Sequence, residues 1–361
     1  MTEQKENLTE KTKRIEWIDV LRFMGIFSIY LSHLETQAGY FFPFGYRYQT
    51  PLFFFIAGAM ENLAKSDSSF GQHLKKKFTG IMFPYFFFAL VSIVIIFLEG
   101  NANAGMLLKT GVQFLLGIRN QLYAPTLWFL PCIFVMAMIF YVLKKMVNNR
   151  WVILLIALGL MIASETLLPH RPIVKPSWFW NIDSSLYYFF YYALGYAVFP
   201  YVRKLLSSRS VWAHVGYLVS SAMVTIYAIA LLTGKDLVAI LFRNVPNSAP
   251  VILVTGAVLL IWFSIFLAQV LSSITLFQKI GRETLFLCGA EQVIRHLTPP
   301  LFALIGWNLT LPTPPTSIIY TFMVVLAATF VVIPILKPIY HSLLELLYPS
   351  RLHAKIAGLQ E

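Results

Sequence analysis

The hydrophobic positions of this chain fall in long unbroken runs, not in the alternation of a half-buried strand or the one-sided stripe of a soluble helix. A helix needs an apolar run of about 20 residues to cross the hydrocarbon core of a bilayer. On that scale the pattern predicts ten spans, at 17–36, 48–64, 77–98, 126–146, 150–168, 184–202, 211–233, 249–271, 284–306 and 317–341. The apolar stretch 104–118 is shorter and is bounded by Gly105 and Gly117, so it reads as an interfacial or re-entrant piece. The expected fold class is all-α. It is a polytopic membrane protein with about ten transmembrane helices and a single membrane domain over 1–361, including a polar segment at 1–16 and a tail at 342–361. No cleavable signal peptide and no separate soluble domain are expected, and no repeat is evident.

Composition agrees with the pattern. Hydrophobic residues make up 58% of the 361 and charged residues 12%, against roughly 25% charged in soluble domains. The 31 Phe, 18 Tyr and 8 Trp suit the aromatic belts of a bilayer protein. The net charge of +12 needs its own account. With the N-terminus inside, the inner loops and termini collect 19 of the 28 Lys and Arg and the outer loops seven. That asymmetry predicts both termini in the cytoplasm and assigns most of the charge to topology and contact with anionic membrane lipids, not to nucleic acid. Cys132 and Cys288 lie in apolar stretches, so no disulfide framework is expected. His73, His170, His214, His341 and His353 form no metal-ligand spacing, and no metal site is expected. No GxSxG elbow, Walker loop, HExxH or CxxC pair occurs, which leaves serine-hydrolase, ATPase and zinc-protease chemistry without support.

Ionisable residues inside spans are costly and are functional candidates for that reason. The first span carries three: Asp19, Arg22 and His33. At about 100° per residue they fall within about 60° of one another, with His33 roughly 16 Å beyond Arg22 along the axis. Two readings fit this stripe. One is a buried ion pair with a separately satisfied histidine. The other is a reaction path, since a histidine can take up and return a proton near neutral pH. Lys75, Lys76 and Lys77 either anchor the third helix at the inner face or meet a polyanion such as a nucleotide phosphate. Pro84 should kink that helix, with Tyr85 beside the kink. Arg47 is placed just outside the second span, against substrate or lipid headgroups. In the ninth span Glu291 and Arg295 are spaced to pair on one face, with His296 on another. Glu61, Glu165 and Asp183 lie near span ends and read as solvated. Trp178, Trp180 and Trp307 either stack on sugars or sit in the interfacial belt.

As a set, IDVLRFMGIFSIYLSHL (18–34), PLFFFIAG (51–58), KKKF…PY (75–85), LWFLP (127–131) and IGRETLF (280–286) resemble the acyltransferase-3 family of integral membrane acyltransferases. The likeness covers nearly the whole chain. It implies a ten-helix enzyme of the bacterial inner membrane that moves an acyl group, commonly acetyl from cytoplasmic acetyl-CoA, to a hydroxyl of a cell-envelope glycan or lipid-linked sugar. It also implies that His33 is the catalytic histidine with Asp19 and Arg22 as its supporting charged pair and Glu291 as a candidate acidic partner, and that Lys75, Lys76 and Lys77 receive the CoA phosphates. From their positions in the chain, Tyr85 beside the kink is placed with the donor site, and Arg47 and Arg295 with the substrate. Two positions depart from the family pattern: Gly80 stands where many members have a second basic residue, and Glu291 where many have a histidine. Polar residues on interrupted helices also fit a transporter or flippase for a glycan or lipid intermediate, although no matching pair of broken spans is found. A non-catalytic subunit of a polysaccharide-synthesis complex is the remaining alternative.

Overall fold

Every apolar run forms helix, and no strand occurs among the described residues. The computed structural model describes residues 14–348 apart from 65–68, 99, 101, 102, 248, 305 and 307–312. Trp307, Lys65, the charges before Arg14 and the tail from residue 349 lie outside the described residues. The chain opens with α1 (Glu16–Ser32), α2 (Phe41–Met60) and α3 (Phe70–Leu98). A short apolar helix, α4 (Ala104–Leu116), leads to α5 (Pro125–Met146) and α6 (Arg150–Thr166). Next come α7 (Ile182–Leu206), α8 (Val211–Leu232), the brief α9 (Leu237–Leu241) and α10 (Pro250–Val270). Three short helices, α11 (Thr275–Arg282), α12 (Thr284–Gly289) and α13 (Glu291–Leu304), precede α14 (Pro314–Leu347).

Among the described residues, five helices are long and apolar enough to cross a membrane: α3, α5, α8, α10 and α14. They coincide with five of the ten predicted spans. Helices α1 and α6 have 17 residues each. Helices α2 and α7 are longer, but they carry polar residues that the bundle buries, including Gln49, Asp183, Ser184 and Ser185.

Three local features differ from the sequence expectation. Helix α2 starts at Phe41, not at 48, so Arg47 lies within a helix and not in an outer loop. The run 284–306 is not one continuous helix, because α12 ends at Gly289 and α13 begins at Glu291. A continuous helix would join the carbonyls of Leu287 and Cys288 to N–H groups one turn on. Here the Tyr30 hydroxyl donates to the Leu287 carbonyl at 2.8 Å and the Thr126 hydroxyl to the Cys288 carbonyl at 2.8 Å. The third feature is a widened turn, Phe78–Met82, just before Pro84. Proline cannot donate to the carbonyl four residues back and its ring crowds that carbonyl, and a π turn relieves both problems. Helix α14 repeats the device at Ala328–Val332, just before Pro334.

The core is built where α2 crosses α7, and α1 packs between α2 and α11. A side chain at Gly58 would collide with the Tyr192 carbonyl, and one at Gly195 with the Phe55 carbonyl, so the two backbones touch. Small residues permit this approach, as in other membrane helix pairs. Gly281 likewise rests on the Asp19 carbonyl, fixing α11 against α1. Gly58→Ala or Gly195→Ala should therefore lower stability by about 1–3 kcal/mol through overpacking. Gly159→Ala, where nothing lies within 4 Å, should leave it unchanged. Thermal unfolding in detergent checks this, and equal midpoints for all three variants would contradict the close crossing.

Candidate active site

The polar stripe of α1 is held at both ends by groups from distant parts of the chain. Asp19 is 1% exposed and gathers three guanidiniums. Arg14 approaches at 2.6 Å, Arg22 at 3.3 Å and Arg282 at 3.3 Å. The Gly281 contact brings α11 close enough for Arg282 to reach the carboxylate. A buried carboxylate requires such partners, because an unpaired charge is costly in a low-dielectric interior. The Asp19–Arg22 pair was legible in the sequence, whereas the pairing of Asp19 with Arg14 and Arg282 was not.

At the other end of the stripe, His33 caps the C-terminus of α1. Its Nδ1 lies 2.7 Å from Oε1 of Glu291, whose side chain is 0% exposed. Glu291 is the first residue of α13, where the helix dipole favours a negative charge. Arg295 lies 3.7 Å from the same oxygen and is half exposed, so it contributes less to the pairing. An ionised Glu291 can only accept, so a neutral His33 ring beside it would carry its proton on Nδ1 and its lone pair on Nε2.

Between the two ends runs a cavity of about 660 Å³. Arg22, Gly80, Gly281 and Arg282 line it toward the Asp19 end. His33, Arg47, Thr50, Arg119, Trp128, Tyr188 and Tyr191 line it toward the other. One wall therefore carries a proton acceptor braced by a buried carboxylate, about 16 Å along α1 from a cluster of guanidiniums. A model of an acyltransferase domain, the acyltransferase-3 model, matches residues 15–335. The chain belongs to the acyltransferase-3 family. No curated protein and no solved structure matches it.

This acyltransferase is thus a multi-pass membrane protein, and its remaining candidate residues can be placed around the cavity. Lys75 and Lys76 are exposed at the start of α3. Lys77 pairs with Glu61, which also accepts from the Tyr192 hydroxyl at 2.7 Å. None of the three lysines lines the cavity, although Gly80 and Ile81 one turn further on do. Tyr85 is fully buried and donates to the Phe114 carbonyl, tying α3 to α4. Arg47 faces the cavity and pairs with Asp236 at 2.7 Å. His296 bonds Gln292 at 2.9 Å and Tyr123 at 3.0 Å, away from His33.

The expectation that Glu61, Glu165 and Asp183 are solvated is corrected. Glu165 pairs with Arg171 at 2.7 Å, and Asp183 accepts from the backbone N–H groups of Ser177, Trp178 and Ser184. All three carboxylates are buried, and each has at least one donor or cation against it. Sequence reasoning also passed over Arg119 as a site residue. Its loop is fixed by Asn181, which accepts from the Arg119 N–H and donates to the Gly117 and Trp128 carbonyls. Asn181 does this from a left-handed conformation, φ 55°, which asparagine tolerates better than most residues. Only the IGRETLF motif pointed toward Arg282.

Asp19→Asn should leave three guanidiniums without their shared countercharge and lower stability by about 1.5–3 kcal/mol. Adding Arg282→Gln should restore part of the loss. Unfolding midpoints of the single and double variants measure this, and an unchanged midpoint for Asp19→Asn would remove the cluster's structural role.

Proposed function

We propose that this chain is a transmembrane O-acyltransferase. It moves an acyl group, acetyl in the first instance, from cytoplasmic acyl-CoA to a hydroxyl of a cell-envelope glycan or lipid-linked sugar. In this reading the protein sits in the bacterial inner membrane with about ten spans and both termini in the cytoplasm. The Asp19 end of the cavity then faces inward and the His33 end outward. The observation that carries the reading is the His33–Glu291 pair, 2.7 Å apart, on a cavity whose far end is lined by Arg22 and Arg282.

Three guanidiniums on one carboxylate leave an excess of positive charge, which suits the phosphates of CoA. Exposed Lys75 and Lys76 at the same end of the bundle add to that attraction. His33 Nε2 takes the proton of the acceptor hydroxyl as its oxygen bonds to the thioester carbonyl carbon. Glu291 holds the resulting imidazolium in place. The carbon–sulfur bond breaks and the ring returns its proton to the departing thiolate. Glu291 thus acts through His33 by fixing its tautomer and orientation.

Purified protein supplied with radiolabelled acetyl-CoA and an envelope glycan should transfer label. His33→Ala should reduce the rate by about 10²–10⁴-fold, the usual worth of a general base. Glu291→Gln should lower kcat with little change in the KM for the donor. Label transfer at the wild-type rate in His33→Ala would sink the assignment. Glycan movement without thioester loss would favour a transporter instead.

A further inference from the structure

The His33 end of the cavity carries a positive charge that no carboxylate among the described residues neutralises. Arg119 donates from one terminal nitrogen to the Pro172 carbonyl at 2.8 Å and the Ile173 carbonyl at 2.7 Å. Its guanidinium carbon lies 4.7 Å above the centre of the Trp128 ring, and the Tyr188 hydroxyl lies against the same group. Its Nε is buried and has no hydrogen-bond partner. Among the described residues no ion pair involves Arg119. The neighbouring carboxylates are already engaged, Glu165 by Arg171 and Asp183 by three backbone N–H groups.

A guanidinium does not give up its proton in a protein, so this charge persists whatever the pH. Carbonyl oxygens and an aromatic face hold the group in place without cancelling it. A half-buried cation that lines a cavity without a countercharge is completed by an anion. Arg47 lines the same end and also has a buried, unpartnered terminal nitrogen, but Asp236 neutralises it at 2.7 Å. Arg119 is therefore the group left to read charge, and Arg47 adds a second donor.

We propose that this end of the cavity takes an acceptor bearing an oxyanion, carboxylate or phosphate, which docks on Arg119 while a hydroxyl of the same sugar is presented to His33. The proposal rests on the acyl-transfer reading for its second half only. The docking step makes no use of the donor.

Binding is measured by tryptophan fluorescence in nanodiscs without acyl donor. The probes are a trisaccharide bearing one glucuronate, its neutral methyl ester, and a hexose carried on a polyprenyl diphosphate beside the free hexose. One anionic probe should bind about ten- to a hundredfold more tightly than its neutral counterpart, the worth of one charge-assisted hydrogen bond. Which probe shows the preference decides between a carboxylate and a phosphate. Arg119→Gln should abolish the preference, read as the ratio of charged- to neutral-probe affinity within that variant, and Arg119→Lys should retain part of it. Equal binding of charged and neutral probes by the wild type would overturn the proposal. So would a full preference in Arg119→Gln, or in Arg119→Lys if the glutamine variant does not fold. A charge preference in protein that consumes no thioester when acetyl-CoA is then added would instead overturn the acyl-transfer reading and leave this one standing.

Discussion

Interrupting a helix inside an apolar bundle leaves backbone carbonyls that water cannot reach, and such groups must find donors elsewhere. The break between α12 and α13 is possible because two hydroxyls, from Tyr30 and Thr126, reach the carbonyls of Leu287 and Cys288. The rest of the site depends on this exchange. With the break in place, Glu291 becomes the first residue of a new helix, where the dipole favours its charge, and it turns toward His33. A continuous helix over 284–306 would have left His33 without that carboxylate. Tyr30 sits one turn before His33 on the same helix, so α1 supplies both the ring and part of the support for its partner.

The same economy governs the other ionisable groups. With 12% charged residues, each carboxylate within the bundle is matched by cations, hydroxyls or backbone donors from another element. Asp19 joins α1 to α11, Glu61 joins α2 to α3 and α7, and Asp236 meets Arg47 of α2. Pairing of this kind specifies which helices sit together, because a misplaced neighbour would strand a charge in a low-dielectric interior.

What could be read from sequence follows from which interactions are local. The apolar runs and the Asp19–Arg22–His33 stripe depend on helical geometry alone, and both were visible. Proline at position 84 announced a distortion, though its form, a widened turn placed before the proline, comes from relief of crowding in the preceding turn. The break at Ala290 left no local mark, because its stabilising hydroxyls are far away in sequence. Arg119, Arg282 and Asp236 were passed over for a similar reason, since their partners come from other parts of the chain. Glu61, Glu165 and Asp183 were misjudged because proximity to a span end suggests water, whereas three-dimensional packing surrounds them with donors.

The crossing of α2 and α7 bears on how this chamber can vary. Where two main chains touch at Gly58 and Gly195, the spacing between the helices is a property of the peptide backbone and cannot be tuned by swapping core side chains. The same two helices carry Arg47, Thr50, Tyr188 and Tyr191 into the cavity. Shape and charge inside can therefore change by substitution at the wall while the frame keeps its dimensions. A lineage could retarget the chamber to a new acceptor without renegotiating the fold.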